Sequence, residues 1–326
     1  MISDATGAVI PNGIKPHEAA ATSATSHSLT SHITTINQTM LPAPLSTLPD
    51  TAVTSSELYA LYEEAKKGCI NSYLAYAEHL YANHIQPDRR LRHLDQVHLP
   101  AMVATVNQLH PGINLHYGDI DQMHELIMNN QEGNQRFRFL KKQMPRHFSF
   151  FDICIRPDLP VRIIGIDAAG MPTANLICSE LTISCQSFDY DIKSQKSPED
   201  CTIFALDSAI QCHVNEKEFD LTIDNMIKNH FKEKNCYNTD KIKNSWTRLP
   251  ADFYIHTQAR STLKDTYLEH KYVDSIKMTL SEWQKKHLRP MTTSLSQIDI
   301  PKYYNSSIEA RRLELIKATI ATSLPQ

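Results

Sequence analysis

The sequence predicts an α+β protein. Apolar residues recur at helical spacing before residue 130 and again after 200, and two-residue alternation is confined to the stretch between about 136 and 192. A run of helices, a central cluster of strands and a second run of helices is the order that places helices against a sheet.

The first helix is expected from Glu57, where ELYALYEEAKK follows a Ser-rich start able to cap it. Gly68 interrupts the pattern before a further helical stretch from Ser72 to Tyr81. A helix is expected to begin near Pro100, since proline suits a first turn, and to run to Leu109 before Pro111. Asp119 to Asn130 reads as another. Then the period changes. Arg136 to Leu140, His147 to Arg156 and Val161 to Asp167 alternate, the last two split by Pro157 to Pro160 as a hairpin turn. Ile183 to Ile192 is a further strand. After Pro198, Cys201 to Val214 carries Ile203, Leu206, Ile210 and Val214 on one stripe, and 218–234, 261–271 and 306–322 read as helices.

Composition divides the chain. Residues 1–55 hold 17 Ser and Thr, no aromatic, Cys or Arg, and only four charges. Such a stretch buries too little apolar surface to offset its ordering entropy and is expected to be a disordered leader. Composition alone leaves open whether it is a tail or a secretion signal. The rest is expected to form a core over 56–215 and a helical, regulatory part of the same globular unit over 216–326.

Several function classes are excluded. The net charge of −3 argues against nucleic acid as partner. Only eight glycines occur and no Gly-x-Gly, so the dinucleotide, P-loop and kinase phosphate loops are missing. Neither the Gly-x-Ser-x-Gly elbow nor His-Glu-x-x-His is present. The seven cysteines form no Cys-x-x-Cys, and the seven histidines from His79 to His124 have no metal-ligand spacing, so no metal is expected. No run of about 18 apolar residues provides a transmembrane segment. The chain starts Met-Ile, without a myristoylation glycine.

One constellation carries chemistry. His147 begins a strand, Asp167 ends the next, and Cys201 begins a helix. A thiol needs a base and an electropositive setting to be a nucleophile, and a helix N-terminus supplies the second. A hairpin brings the start of one strand beside the end of the next, so His147 and Asp167 can be neighbours and Asp167 can orient the imidazole. Gln195, six residues before Cys201, can donate to an oxyanion. Packing is the commoner fate of a cysteine, and Cys154, Cys178, Cys185 and Cys212 are read so.

Four blocks in order then resemble one family. PRHFSFFD from Pro145, with Asp167, and QKSPEDCTIFAL from Gln195 look like the core of the YopJ effectors. LPADFYIHTQAR from Leu249 is similar to a second signature of that family, and LPAMV from Leu99 with HPGINL from His110 to a third. The resemblance spans about 90 to 270. It implies a bacterial type III secretion effector of the adenoviral and SUMO cysteine-protease clan, delivered into the cytoplasm of a host cell. It implies an acetyltransferase that uses acetyl-CoA on Ser, Thr and sometimes Lys of host signalling proteins such as kinases, switched on by inositol hexakisphosphate.

By position it makes His147 the general base, Asp167 its orienting acid, Cys201 the nucleophile and Gln195 the oxyanion residue. It suggests Lys196, Ser197, His256, Thr257 and Gln258 as coenzyme contacts. The family commonly has Lys before His-Thr-Gln, where this chain has Ile255. Residues 216–326 hold 18 Lys and Arg against 14 Asp and Glu, so cations for a polyphosphate are expected at Arg89, Arg90, Arg92, Lys241, Lys243 and Arg248. A cysteine protease or deubiquitinase of the same clan, or a binding decoy that lost its chemistry, are the alternatives.

Overall fold

The computed structural model describes residues 54–144, 147–157, 159–171, 173–181, 183–233, 249–258, 260–265, 268–291 and 302–323. The leader up to Val53 and the cations Lys241, Lys243 and Arg248 lie outside them.

Three helices come first. Helix α1 spans Ser55–Lys66 and starts in a capping box between Thr54 and Glu57. Gly68, at φ +103°, turns the chain into α2, Ile70–Ala82. Helix α3, Arg89–Leu109, is capped by Asp88, whose carboxylate accepts from the Leu91 N–H at 2.9 Å.

Here the sequence expectation is corrected. Pro100 does not open this helix; it lies inside it. The stripe that continues the helix upstream includes Arg92, Asp95 and His98, all buried, and these polar groups hid its period.

Five strands form the central sheet in the order β1 to β5: Leu115–Gly118, Gln135–Met144, His147–Ile155, Val161–Asp167 and Cys185–Asp191. β1 runs parallel to β2, β2 to β4 are antiparallel, and β5 is parallel to β4. Both faces are covered. Leu140, Phe150, Ile164 and Ile166 pack against α3 and against α6, Cys201–Val214. On the other face Phe139, Phe151, Ile153 and Ile163 pack against α4, Ile120–Met128, and α5, Ala174–Glu180.

The alternation at Arg136 to Leu140 therefore does not separate core from solvent. Arg136 pairs through Nε with Asp152 Oδ1 at 2.8 Å and through Nη1 with Asp220 at 2.9 Å, and Arg138 pairs with Glu216 at 2.5 Å. Asp220 and Glu216 tie α7, Glu216–Glu233, to the sheet, while Asp152 belongs to β3. A buried arginine needs such partners, because an unpaired buried charge is costly.

The remaining elements are short until the end. A 3-10 turn covers Ala251–Tyr254, and α8 covers Arg260–Asp265, shorter than the expected 261–271. Strands β6, Tyr272–Val273, and β7, Met278–Thr279, precede α9, Leu280–Lys286. Strands β8, Leu288–Met291, and β9, Lys302–Asn305, pair before α10, Ser307–Ser323. Helix α10 packs Leu313 and Ile316 into the cluster of Tyr73, Tyr76, Leu80, Leu91 and Leu94. Among the described residues no helix is long and apolar enough to cross a membrane.

Candidate active site

The hairpin of β3 and β4 pairs Phe150 with Ile166 and Phe151 with Gly165. Continued one step, that register sets Ser149 opposite Asp167, and His147 lies two residues back on the same face. The side chains meet as the register requires. His147 Nε2 lies 2.5 Å from Asp167 Oδ2, and Ser149 Oγ donates to the same oxygen at 2.6 Å. The other oxygen, Oδ1, accepts from the N–H groups of Ala169 and Met171 at 2.9 and 3.2 Å. Asp167 is buried, and it is held by four donors.

The charges follow from these contacts. Burial pushes the Asp167 carboxyl upward, but the hydrogen bond and charge of His147, with Ser149 and the Met171 N–H, bring it below its usual value. Burial pushes the His147 ring downward. The hydrogen bonds to Asp167 and to Cys201, with the charges of both, outweigh it and raise the ring to about 10. Cys201 is thus in hydrogen-bonding contact with the imidazole, at the first residue of α6, and is 1% exposed. Cys201 belongs to the first turn of α6, where the helix dipole favours negative charge. Ser149 was not foreseen; its i+2 position from His147 on a strand edge was the available signal.

The loop from Lys193 to Asp200 carries the thiol to this place. The Gln195 N–H donates to the Ala168 carbonyl at 2.9 Å, next to Asp167. The Gln195 side-chain amide donates to the Ser197 carbonyl at 2.5 Å. One of its two amide N–H donors is therefore engaged within the loop. Asp200, the residue before Cys201, does not cap α6 with its side chain. Its carboxylate accepts from Gln258 Nε2 at 2.8 Å and from Arg312 Nη2 at 2.6 Å. Arg312 also forks onto Asp95 of α3, through Nε at 2.9 Å and Nη2 at 3.0 Å.

The expected coenzyme residues fall in two groups. Lys196 is exposed on the nucleophile loop. Ser197, His256, Thr257 and Gln258 are buried. His256 Nδ1 lies 3.1 Å from Ser307 Oγ, its Nε2 is 3.8 Å from Asp207, and burial lowers the ring to about 4. The Thr257 carbonyl accepts from Asn305 at 3.0 Å and Gln284 at 3.3 Å. Ile255 is packed in the main core.

The cations also differ among themselves. Arg89 and Arg90 are exposed at the start of α3, with Arg90 stacked over Tyr59 and Tyr62. Arg92 is buried. It pairs with Glu199 and reaches the Pro198 carbonyl at 3.5 Å, in the loop that precedes Cys201. Among the described residues no group of three or more His, Cys, Asp and Glu side chains is placed to hold a metal ion.

Comparisons with known proteins bear on this arrangement. Residues 70–318 match a family described as YopJ serine/threonine acetyltransferase. The chain is 28% identical over 147 residues to the serine/threonine-protein acetyltransferase HopZ1a of Pseudomonas syringae, a match covering 39% of each protein. It is 25% identical over 183 residues to a serine/threonine-protein acetyltransferase of Sinorhizobium fredii, covering 51% of this chain and 69% of that one. Among solved structures, a deletion variant of AvrA with IP6 and CoA aligns with a TM-score of 0.59 at 19% identity, over 81% of this chain and 98% of that one. HopZ1a in complex with IP6 aligns with the same score at 18% identity, over 83% of this chain and 98% of that one. At those identities the likeness concerns the fold.

Proposed function

The chain belongs to the YopJ serine/threonine acetyltransferase family, and on that footing we propose that it is a type III effector that acetylates Ser or Thr of host signalling proteins from acetyl-CoA. What carries the reading is the contact of the Cys201 thiol with a His147 ring that Asp167 holds. Lys is a further acceptor of the same chemistry. Host kinases are the partners that the family suggests, and the host cytoplasm, reached through the bacterial secretion machinery, is the place of action. The fold is that of the cysteine-protease clan with the chain order His, acid, Cys.

The reaction has two halves. In the first, with the proton of the Cys201–His147 pair already held on the ring, the Cys201 sulfur attacks the acetyl carbonyl of the thioester. The negative oxygen of the tetrahedral intermediate is held by the Cys201 N–H and by the Gln195 amide, which turns from the Ser197 carbonyl to reach it. Collapse breaks the carbon–sulfur bond to CoA, and His147 returns the proton to the departing thiolate. In the second half, an acceptor hydroxyl gives its proton to His147 and attacks the acetyl-enzyme. The acetyl group passes to oxygen, the Cys201 sulfur leaves, and the acceptor's proton stays on His147, which restores the starting pair. Asp167 keeps the ring oriented and stabilises its charge throughout.

Lys196 is the exposed group suited to the phosphates of CoA. Ser197, His256, Thr257 and Gln258 act from beneath that surface. Inositol hexakisphosphate is the proposed activator. Arg89 is solvent-facing at the α3 N-terminus, a favourable place for phosphate, and Arg248 is the expected downstream cation. Arg92 pairs with Glu199, two residues before Cys201, so an anion that draws on Arg92 acts on the nucleophile loop.

Radiolabelled acetyl-CoA tests this reading. Label on a protein acceptor or on the chain itself, dependent on inositol hexakisphosphate and lost in Cys201→Ala, is the expected result. Cleavage of a ubiquitin-like or peptide substrate without acetyl-CoA would replace it with a protease. A folded protein inert in both assays would leave the decoy.

A further inference from the structure

Gln258 has no free acceptor to offer a ligand. Its side chain is 4% exposed. The Oε1 atom accepts from two successive backbone N–H groups, Lys196 at 2.6 Å and Ser197 at 2.8 Å. An amide oxygen has two lone pairs, and both are taken. Nε2 donates to Asp200 Oδ2 at 2.8 Å, and the Gln258 N–H donates to the Ser194 carbonyl at 2.7 Å. One residue from the segment after the 3-10 turn therefore grips the loop at Ser194, Lys196, Ser197 and Asp200. The next residue is Cys201.

We propose that Gln258 is a positioning residue that sets the nucleophile loop, and with it Cys201, against His147. The argument rests on the acetyl-transfer reading for what the loop does, and on the hydrogen bonds alone for how it is held. Lys196 and Ser197 have no strand or helix partner for their N–H groups, so the carboxamide stands in for one. Asp200 needs a donor on each carboxylate oxygen, because it is fully buried; Arg312 serves one and Gln258 the other. The loop is fixed upstream as well, where Thr262 Oγ1 donates to the Lys193 carbonyl at 2.8 Å and Lys193 itself sits at φ +41°. A left-handed lysine persists only where its surroundings determine it.

Two substitutions separate positioning from a coenzyme contact. Gln258→Met keeps the volume and removes every polar contact of the side chain. Amide hydrogen exchange at Lys196 and Ser197 should speed by about tenfold or more. Turnover should fall by about 10²-fold, with the KM for acetyl-CoA within about twofold of the wild type. Gln258→Glu still accepts from both N–H groups, so exchange there stays slow, but its carboxylate faces that of Asp200. Two such carboxylates share a proton, so the ratio of variant to wild-type turnover should rise as pH falls from about 8 to about 6. A protonated carboxyl then donates to Asp200 as the amide does.

A raised KM with unchanged turnover and unchanged exchange would make Gln258 a coenzyme contact and overturn the proposal. Exchange reads the clamp without any turnover. A wild type that transfers no acetyl group therefore refutes the acetyltransferase reading and leaves the exchange result to judge the clamp.

Discussion

Replacing Arg312 by Met tests how the C-terminal helix governs the nucleophile. The guanidinium is 1% exposed and bridges two carboxylates, Asp95 on α3 and Asp200 before Cys201, with three hydrogen bonds of 2.6 to 3.0 Å. Tyr73 donates to Asp95 from α2. Methionine fills most of the volume and leaves both acids in the interior without a cation, with Tyr73 and Gln258 as their remaining donors. Removing one partner of a buried ion pair costs about 3–5 kcal/mol. For a domain of this size about 1 kcal/mol moves Tm by about 2–4 °C, so Tm should fall by about 6–20 °C.

The deficit should also depend on pH. Burial already raises the Asp95 carboxyl above its ordinary value, with Arg312 opposing it. Without Arg312 the folded state binds protons more tightly than the unfolded one, so the variant regains stability as pH falls. Thermal melts of Arg312→Met, Arg312→Lys and the wild type across the acid range read both effects. Lysine keeps the charge without the fork and should fall between the two. A loss in Arg312→Met under about 2 °C, or one that does not shrink toward acid, refutes the view that this bridge holds α10 to the nucleophile loop.

Three further outcomes follow. By NMR the His147 ring should stay protonated through neutral pH and titrate near 10; in Asp167→Asn it should drop, because burial then has less to oppose it. The sign for stability is that of a raised histidine: the contribution of the pair is present below its ordinary value and is lost as pH climbs through about 10. Asp152→Asn should lower the urea-unfolding free energy by about 3–5 kcal/mol, since Asp152 is fully buried between Arg136 and Arg162, whereas Asp220→Asn, with 38% of its side chain exposed, should cost about 1 kcal/mol or less. Gly165→Ala should cost about 1–3 kcal/mol in the same assay, because the new methyl would lie 2.8 Å from Asp189 Oδ1, which accepts from the Thr173 and Ala174 N–H groups.

The hairpin and the helix that hold His147, Asp167 and Cys201 were legible because each is set by a local period and a local turn. Strands β3 and β4 and helix α6 begin or end at those three residues. The start of α3 was hidden. Arg92, Asp95 and His98 occupy its buried face, and their partners Glu199, Arg312 and the Ala65 carbonyl belong to distant parts of the chain. The ion pairs of the β2 arginines left no local signal either: Arg136 and Arg138 reach Asp152 of β3 and Asp220 and Glu216 of α7.

Short elements escaped too. β1 and β6 to β9 have four residues or fewer, below the length at which a period shows. α9 was within reach, since Thr279 and Glu282 form a capping box that the sequence displays. The Gln258 clamp was not, because a glutamine that grips a loop about sixty residues away leaves no local pattern.

The central claim is that one thiol carries the acetyl group between CoA and the acceptor. Mixing the protein with acetyl-CoA and inositol hexakisphosphate in the absence of acceptor, quenching in acid and mapping the peptides by mass spectrometry tests it most directly. The account predicts a hydroxylamine-labile acetyl thioester on the Cys201 peptide, greatly reduced in His147→Ala and discharged when acceptor is added before the quench. Acetyl transfer that proceeds without that thioester, or that persists in Cys201→Ala, would contradict it.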